Sequence, residues 1–212
     1  MKILIAVPCM DMIHTQFMLS VMAMDKPEGT QVTMHPGSLV YDARNILSMN
    51  AIQQNYDYVM WIDSDMIVPQ DTIPRMLKDM EELKTDFVTG LYVKRTYPTE
   101  PVLYSMLLEP SPNKDGILEK RIKTFNNYPK NDRFRVAGCG MGCAMTSINL
   151  LKRVWDYFGP AFNPLPWCGE DQAFCHRVKM LGGDIWCDSS ISCGHVGSFI
   201  YSEKLMNRGD EH

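Results

Sequence analysis

The stretch "DYVMWIDSDMIVP", Asp57 to Pro69, decides how the chain folds. Tyr58 to Ile62 form an apolar run too short for a helix, of the kind found in a strand buried on both faces. The run ends in two aspartates one residue apart, Asp63 and Asp65, with Ser64 between them. Like charges at a strand end need a positive counterpart: solvent with a helix N-terminus, or a divalent cation. Mg2+ and Mn2+ accept oxygen ligands, commonly one or two carboxylates completed by substrate phosphates. Alone, a D-x-D pattern is frequent by chance and reads as an Asp/Ser turn leading into the helix that opens at Pro69 or Asp71.

Working outwards, Lys2 to Pro8, "KILIAVP", is a buried strand bounded by proline, and Thr15 to Met24 is helical. Gln31 to His35 alternates as a second strand ended by Pro36-Gly37. Tyr41 to Asn55 is a helix with Ala43, Ile46, Leu47, Asn50, Ala51 and Gln54 on one face. After the strand at 58–62 comes a helix through Leu83, then a fourth strand, Phe87 to Val93. This alternation predicts an α/β fold, a Rossmann-like and mainly parallel central sheet flanked by helices. Ligands of such sheets bind beyond the carboxyl ends of the strands. Pro8-Cys9 and Asp63-Ser64-Asp65 both lie at such ends and point to one side of the molecule.

The pattern changes after Thr96. A small antiparallel hairpin is expected from Val102–Leu108 with Ile117–Thr124 around "SPNKDG", followed by a loop, Asn126 to Asp132. Arg135 to Thr146, "RVAGCGMGCAMT", reads as a glycine-rich strand pair. Helices follow at Asn149–Phe158 and Asp171–Leu181, the second closed by Gly182-Gly183, and Asp184–Cys187 is a last strand. No internal repeat or domain boundary is visible, so residues 1–212 are read as one domain.

Composition sets the outer bounds. A net charge of -4 gives no electrostatic footprint for nucleic acid. No run approaches the ~20 apolar residues that span a bilayer, and the N-terminus reads as a strand with no signal-peptide cleavage site. The cytosol is the default compartment. Seven cysteines, an odd number without a C-x-x-C pair, argue against a disulfide framework and a structural zinc site. They and the seventeen methionines read as core filling. The C-terminal "NRGDEH" carries neither cap nor packing signal, as in a fragment of a longer protein.

Two further constellations accompany the aspartates. In "WCGEDQAF", Trp167 to Phe174, Glu170 and Asp171 open a helix. Acidic residues there are ordinary partners of the helix dipole, and a carboxylate facing a pocket there can also act as a base. In "SCGHVGS", Ser192 to Ser198, His195 lies between Gly194 and Gly197, able to reach a metal with little obstruction. Each is weak alone. Their order along one chain is not.

In that order, "YVMWIDSDMIVP", "RVAGCGMGCAMTSINLLKRV", "WCGEDQAFCHRVKMLGGDIWCD" and "CGHVG" resemble the GT-A glycosyltransferases, enzymes that move a sugar from a nucleoside diphosphate. The resemblance spans Ile3 to about Gly197. It implies a single GT-A domain, with a donor-binding half at about 1–96 and an acceptor-side half at about 97–212. It implies Mn2+ or Mg2+ and a nucleotide-sugar donor, with uridine the expected base, and a carbohydrate or other hydroxyl acceptor. Asp65 would bind the metal, Asp63 would reach it or the ribose through water, and His195 would be a second ligand. Ser64 sits within this donor-binding motif. Pro8 would line the base and ribose pocket, and Arg44 and Asn45 look like donor-side residues. Glu170 and Asp171 would face the acceptor, Asp171 being the better base if the reaction inverts configuration. The Gly138–Gly142 segment would let sugar and acceptor approach the backbone.

Other readings fit less well. A sugar nucleotidyltransferase would want a glycine-rich basic loop after the first strand, where "PCMDMIHTQ" stands. A dinucleotide-binding enzyme would want G-x-G-x-x-G there. A phosphatase with an aspartate nucleophile would usually carry its D-x-D on the first strand. A non-catalytic nucleotide-sugar or glycan-binding module of the same fold is the rival from another class, opposed by the intact Asp63, Asp65, Asp171 and His195.

Overall fold

The structure, a computed structural model, describes residues 1–37, 39–197 and 200–203; the C-terminal hexapeptide lies outside them. Strand β1 (Ile3–Cys9) is followed by α1 (Thr15–Ala23), β2 (Thr30–Pro36), α2 (Val40–Gln53), β3 (Tyr58–Ile62), β4 (Met66–Ile67), α3 (Thr72–Leu83) and β5 (Phe87–Leu91). Then come β6 (Leu103–Pro112), β7 (Leu118–Thr124), β8 (Arg133–Val136), β9 (Gly138–Cys139) and β10 (Cys143–Ser147). The chain continues through α4 (Ile148–Phe158), α5 (Glu170–Met180), β11 (Ile185–Ser192), β12 (Gly194–Val196) and β13 (Ile200–Tyr201).

The apolar runs of β1 and β3 are continuous because each strand is packed on both sides. Leu4, Ala6, Val59 and Trp61 face one core, with Leu47 of α2, Leu151 of α4 and Phe174 of α5. Ile3, Ile5, Val7, Met60 and Ile62 face the other, with Phe17 of α1 and Ile73 and Met76 of α3. The central sheet has seven strands in the order β2-β1-β3-β10-β5-β11-β8. β1 pairs in parallel with both β2 and β3, and β5 with β11. The mostly parallel α/β architecture expected from the sequence is thus present.

The glycine-rich segment departs from expectation. Instead of one strand pair, it supplies three strands to different places. β8 forms the antiparallel edge beside β11, and β9 pairs with β6 in the hairpin sheet of β6 and β7. β10 runs antiparallel between β3 and β5. All five residues of β10 are buried, so its backbone groups need partners on both edges. Residues beyond 97 therefore complete the middle of the sheet, and the chain near residue 96 marks no break in it. Among the described residues, no helix is long and apolar enough to cross a membrane. All seven cysteines are free thiols.

A cleft of 360 Å³ lies against α3, lined by Arg75, Asp79, Arg133 and Asp188 among others and by none of the residues singled out above. Its charges answer one another. Arg133 Nη1 donates to Asp79 Oδ1 at 3.1 Å, and Arg75 Nη2 lies 3.4 Å from Asp188 Oδ2. Asp79 is buried, with Oδ2 lacking a donor. Burial, and then the neighbouring Asp188 carboxylate, push Asp79 up to about 6. The folded protein therefore holds this proton more tightly than the unfolded chain. The associated stability is fully present below about pH 4 and is lost as pH rises through about 6, on the order of 1–3 kcal/mol. Replacing Asp79 by Asn keeps the acceptor for Arg133 and supplies an N–H for Asp188. The expected result is a Tm at pH 8 raised by a few degrees, about 2–6 °C, and a flatter Tm–pH curve between about 4 and 6. Thermal melts across that range check it; a lower Tm at pH 8 with an unchanged slope would contradict it.

Candidate functional site

The adjacent parallel strands β1 and β3 end on one side of the sheet, and the chain leaving each builds a cleft of 240 Å³. Pro8, Cys9, Met10, Gly37, Val40, Asp63, Ser64 and Asp65 line it. Asp63-Ser64-Asp65 forms a tight turn, closed by the Met66 N–H donating to the Asp63 carbonyl at 3.0 Å. The Asp63 N–H donates to the Gly142 carbonyl at 3.1 Å, and the His14 N–H reaches the Ser64 carbonyl at 3.4 Å. The acidic turn is thus pinned from β10 and from the start of α1.

Immediately after this turn comes β4, which pairs antiparallel with β12: His195 lies opposite Met66 and Gly194 opposite Ile67. The Val196 N–H donates to the Asp65 carbonyl at 2.8 Å. This short ladder carries His195 across from the far end of the chain, leaving its Nε2 3.4 Å from Asp65 Oδ2. The ring is oriented from behind, because Nδ1 lies 2.8 Å from the Val93 carbonyl. A carbonyl can only accept, so Nδ1 carries a proton; Nε2 then faces Asp65, donating to the carboxylate when the ring is charged and offering a lone pair to a cation when it is neutral. Burial acts to raise the Asp65 carboxyl, but the hydrogen bond and charge of His195 and the charge of Arg95 outweigh it and hold the group below its ordinary value.

Two arginines answer the acidic turn. Arg95 Nη1 lies 2.9 Å from Asp65 Oδ2. Arg44, 2 % exposed, donates from Nη2 to Asp63 Oδ1 at 2.7 Å. Its Nε lies 3.6 Å from Glu170 Oε1, beyond hydrogen-bond range, and has no other partner. Burial works against the charge on Arg44, but Asp63 and Glu170 more than compensate and raise its pKa above the ordinary value. One guanidinium thus joins the D-x-D turn to the first turn of α5. Asp171 follows Glu170 there, its Oδ1 accepting from the Gln172 N–H at 2.6 Å. Burial and then the Glu170 charge push Asp171 up to about 6, against the pull of the Gln172 N–H and Arg44.

The structure gathers Pro8, Asp63, Ser64 and Asp65 in the cleft, sets His195 against Asp65, and links Glu170 to Asp63 through Arg44. Asn45 goes elsewhere. The sequence placed it on the donor side, yet its amide nitrogen donates to Asn163 Oδ1 at 3.0 Å and its Oδ1 accepts from the Phe162 N–H at 2.9 Å. It ties α2 to the loop ahead of α5. The buried face of α2 includes Arg44, Asn45 and Ser48, while Ile46 is exposed. The glycines of 138–142 are closely packed. A Cβ at Gly140 would lie 2.0 Å from the Tyr92 hydroxyl, and one at Gly142 2.9 Å from the Tyr92 ring and 3.2 Å from Asp63 Oδ2. Tyr92 fills the space beside Gly140 and Gly142, its hydroxyl accepting from the Gly142 N–H at 3.1 Å. Its ring meets His195 edge-on, with centroids 5.7 Å apart.

Sequence reasoning missed Tyr92 and Arg95. Both follow β5, whose carboxyl end was an available signal. Among the described residues, no group of three or more His, Cys, Asp or Glu forms a ready metal cage. Asp65 and His195 could hold a divalent cation as a two-ligand site completed by phosphate oxygens and water, a donor set that suits Mn2+.

A family profile described as "Glycosyl transferase family 2" matches residues 24–155, more than half of the chain. The chain belongs to glycosyl transferase family 2. No curated protein matches it in sequence. Among solved structures, A197 from STIV superposes with a TM-score of 0.65 at 18% identity, covering 93% of this chain and 86% of that one. GalNAc-T7, solved with UDP, GalNAc and Mn2+, superposes with a TM-score of 0.60 at 11% identity. That match covers 92% of this chain but 44% of GalNAc-T7, so this family 2 chain spans less than half the length of that enzyme. Both likenesses are of fold, the GT-A fold.

The packing of Tyr92 against the glycines gives a direct check. Gly140→Ala is expected to destabilise the fold by about 1–3 kcal/mol, the usual cost of overpacking a filled core. Adding Tyr92→Phe, which removes the clashing oxygen, should recover part of the loss. Thermal melts of the two variants measure this; a Gly140→Ala protein as stable as the parent would contradict the packing role.

Proposed function

We propose that this family 2 chain transfers a glycosyl unit from a nucleoside diphosphate sugar, with uridine the expected base, to a hydroxyl acceptor in the presence of Mn2+ or Mg2+. The observation that carries the proposal is the 3.4 Å approach of His195 Nε2 to Asp65 Oδ2 at the mouth of the cleft. A carboxylate and an imidazole converging from remote parts of the chain suit a divalent cation held with a diphosphate. When bound, such a cation stabilises the charge that develops on the departing diphosphate more in the transition state than in the ground state.

The chain's own groups divide the remaining work. Asp65 and His195 would hold the cation, and Asp63, fixed by Arg44, would orient the donor. Pro8, Cys9 and Met10, at the end of β1, and Val40 would contact base and ribose. Asp171 would accept the acceptor's proton as the new bond forms, in an inverting reaction, with Glu170 beside it keeping its basicity up. A carboxylate of pKa about 6 is mainly ionised above pH 7, yet basic enough to take a proton. In this reading residues 1–96 form the donor side and later residues the acceptor side, with the added role of β10 in the central sheet.

Two variants test the proposal. Asp65→Ala should abolish Mn2+-dependent UDP binding in calorimetry; undiminished affinity would remove Asp65 from the site. Asp171→Asn should retain that binding while lowering transfer by ~10²-fold or more. Transfer by the parent should rise with pH through about 6 and level off above it, since the base must be ionised. Near-normal transfer by Asp171→Asn would exclude it as the base.

A further inference from the structure

We propose that Arg95 competes with the divalent cation for Asp65 and, once displaced, becomes the protein's own positive group for the nucleoside diphosphate as it leaves the sugar. The inference rests on the reading of Asp65 and His195 given above and extends it to a residue outside the D-x-D.

Arg95 Nη1 and His195 Nε2 converge on one oxygen, Asp65 Oδ2, at 2.9 and 3.4 Å. A cation bound between that oxygen and the imidazole would approach the guanidinium closely, and a dication beside a monocation is strongly repelled in a partly buried setting. One of the two must leave. Arg95 is free to do so. Its side chain is 48 % exposed, and its other bond, to the Val196 carbonyl, is a long one at 3.4 Å. Arg44 is not free: it is buried and committed to Asp63 and Glu170. Lys94, the neighbouring cation, is tied to Glu100 at 2.7 Å.

A displaced Arg95 side chain remains anchored at the rim. Among the described residues, none lining the cleft is basic. One dication balances the two charges on the diphosphate of a nucleotide sugar, but when the sugar departs the free nucleoside diphosphate carries about three, so a residual negative charge develops that a guanidinium is suited to meet in a bidentate manner. Arg95 thus acts with opposite sign on two ligands, against the cation alone and in favour of the diphosphate.

The test is to titrate Mn2+ alone, and then UDP at saturating Mn2+, into the parent and Arg95→Met proteins. Electron paramagnetic resonance of free Mn2+ reads the first and calorimetry the second. Mn2+ alone should bind about two- to fivefold tighter to Arg95→Met, and UDP about two- to fivefold weaker, the scale of a partly exposed ion pair. Arg95→Lys should retain most of the UDP affinity. Mn2+ binding that is no tighter in Arg95→Met, or UDP binding that is no weaker, overturns the role of Arg95 while leaving the cation site standing. Mn2+ binding that survives Asp65→Ala undiminished overturns the cation site, and this inference with it.

Discussion

The candidate site depends on one short backbone pairing. β4 has two residues and β12 three, yet their ladder, with the Val196 N–H on the Asp65 carbonyl, brings a histidine from the end of the chain to an aspartate from its first third. Few hydrogen bonds hold so short a ladder, so its stability must come from what surrounds it. Met66 and Val196 are buried, and β13 covers the other edge of β12. Gly194 is needed for closeness, since a Cβ there would lie 3.2 Å from the Ile200 side chain and 3.4 Å from that of Ile67. The pairing turns two residues distant in sequence into one coordination pair.

Electrostatics sets the second constraint. Two carboxylates on one turn are tolerable because each has its own guanidinium, and the two pairs differ in kind. Arg44–Asp63 pairs a buried guanidinium with a carboxylate at the cleft and is linked onward to α5, so breaking it would leave Arg44 only the longer contact to Glu170. Arg95–Asp65 lies at the rim, where an ion pair contributes little. A fixed pair that organises and a loose pair that can exchange are what a site receiving a charged ligand needs. The Arg44 link also places Asp171 within the same charged network, where burial and Glu170 keep its proton affinity above that of an ordinary aspartate.

What the sequence revealed followed from periodicity. Tyr58–Ile62 was legible to the residue, and α1 and α5 to within a residue at each end, because long apolar patterns report burial directly. The antiparallel insertion of β10 was not legible: a buried five-residue strand looks the same whichever way it runs. Nor was β4, since two residues have no period. The glycines and Asn45 have a feature in common. In both, a residue type that often serves ligands is engaged by a neighbour in space, Tyr92 in one case and the Phe162 N–H and Asn163 side chain in the other. The D-x-D, the G-E-D and the late histidine were visible as motifs, whereas the arginines joining them depend on contacts between remote segments.

The pairing of Asp65 with His195 is tested most directly by pulsed electron paramagnetic resonance on Mn2+ bound with UDP. The parent protein should show nuclear modulation from a directly coordinated imidazole nitrogen, lost in His195→Gln. A parent spectrum without nitrogen coupling, or a coupling that persists in the variant, would contradict it.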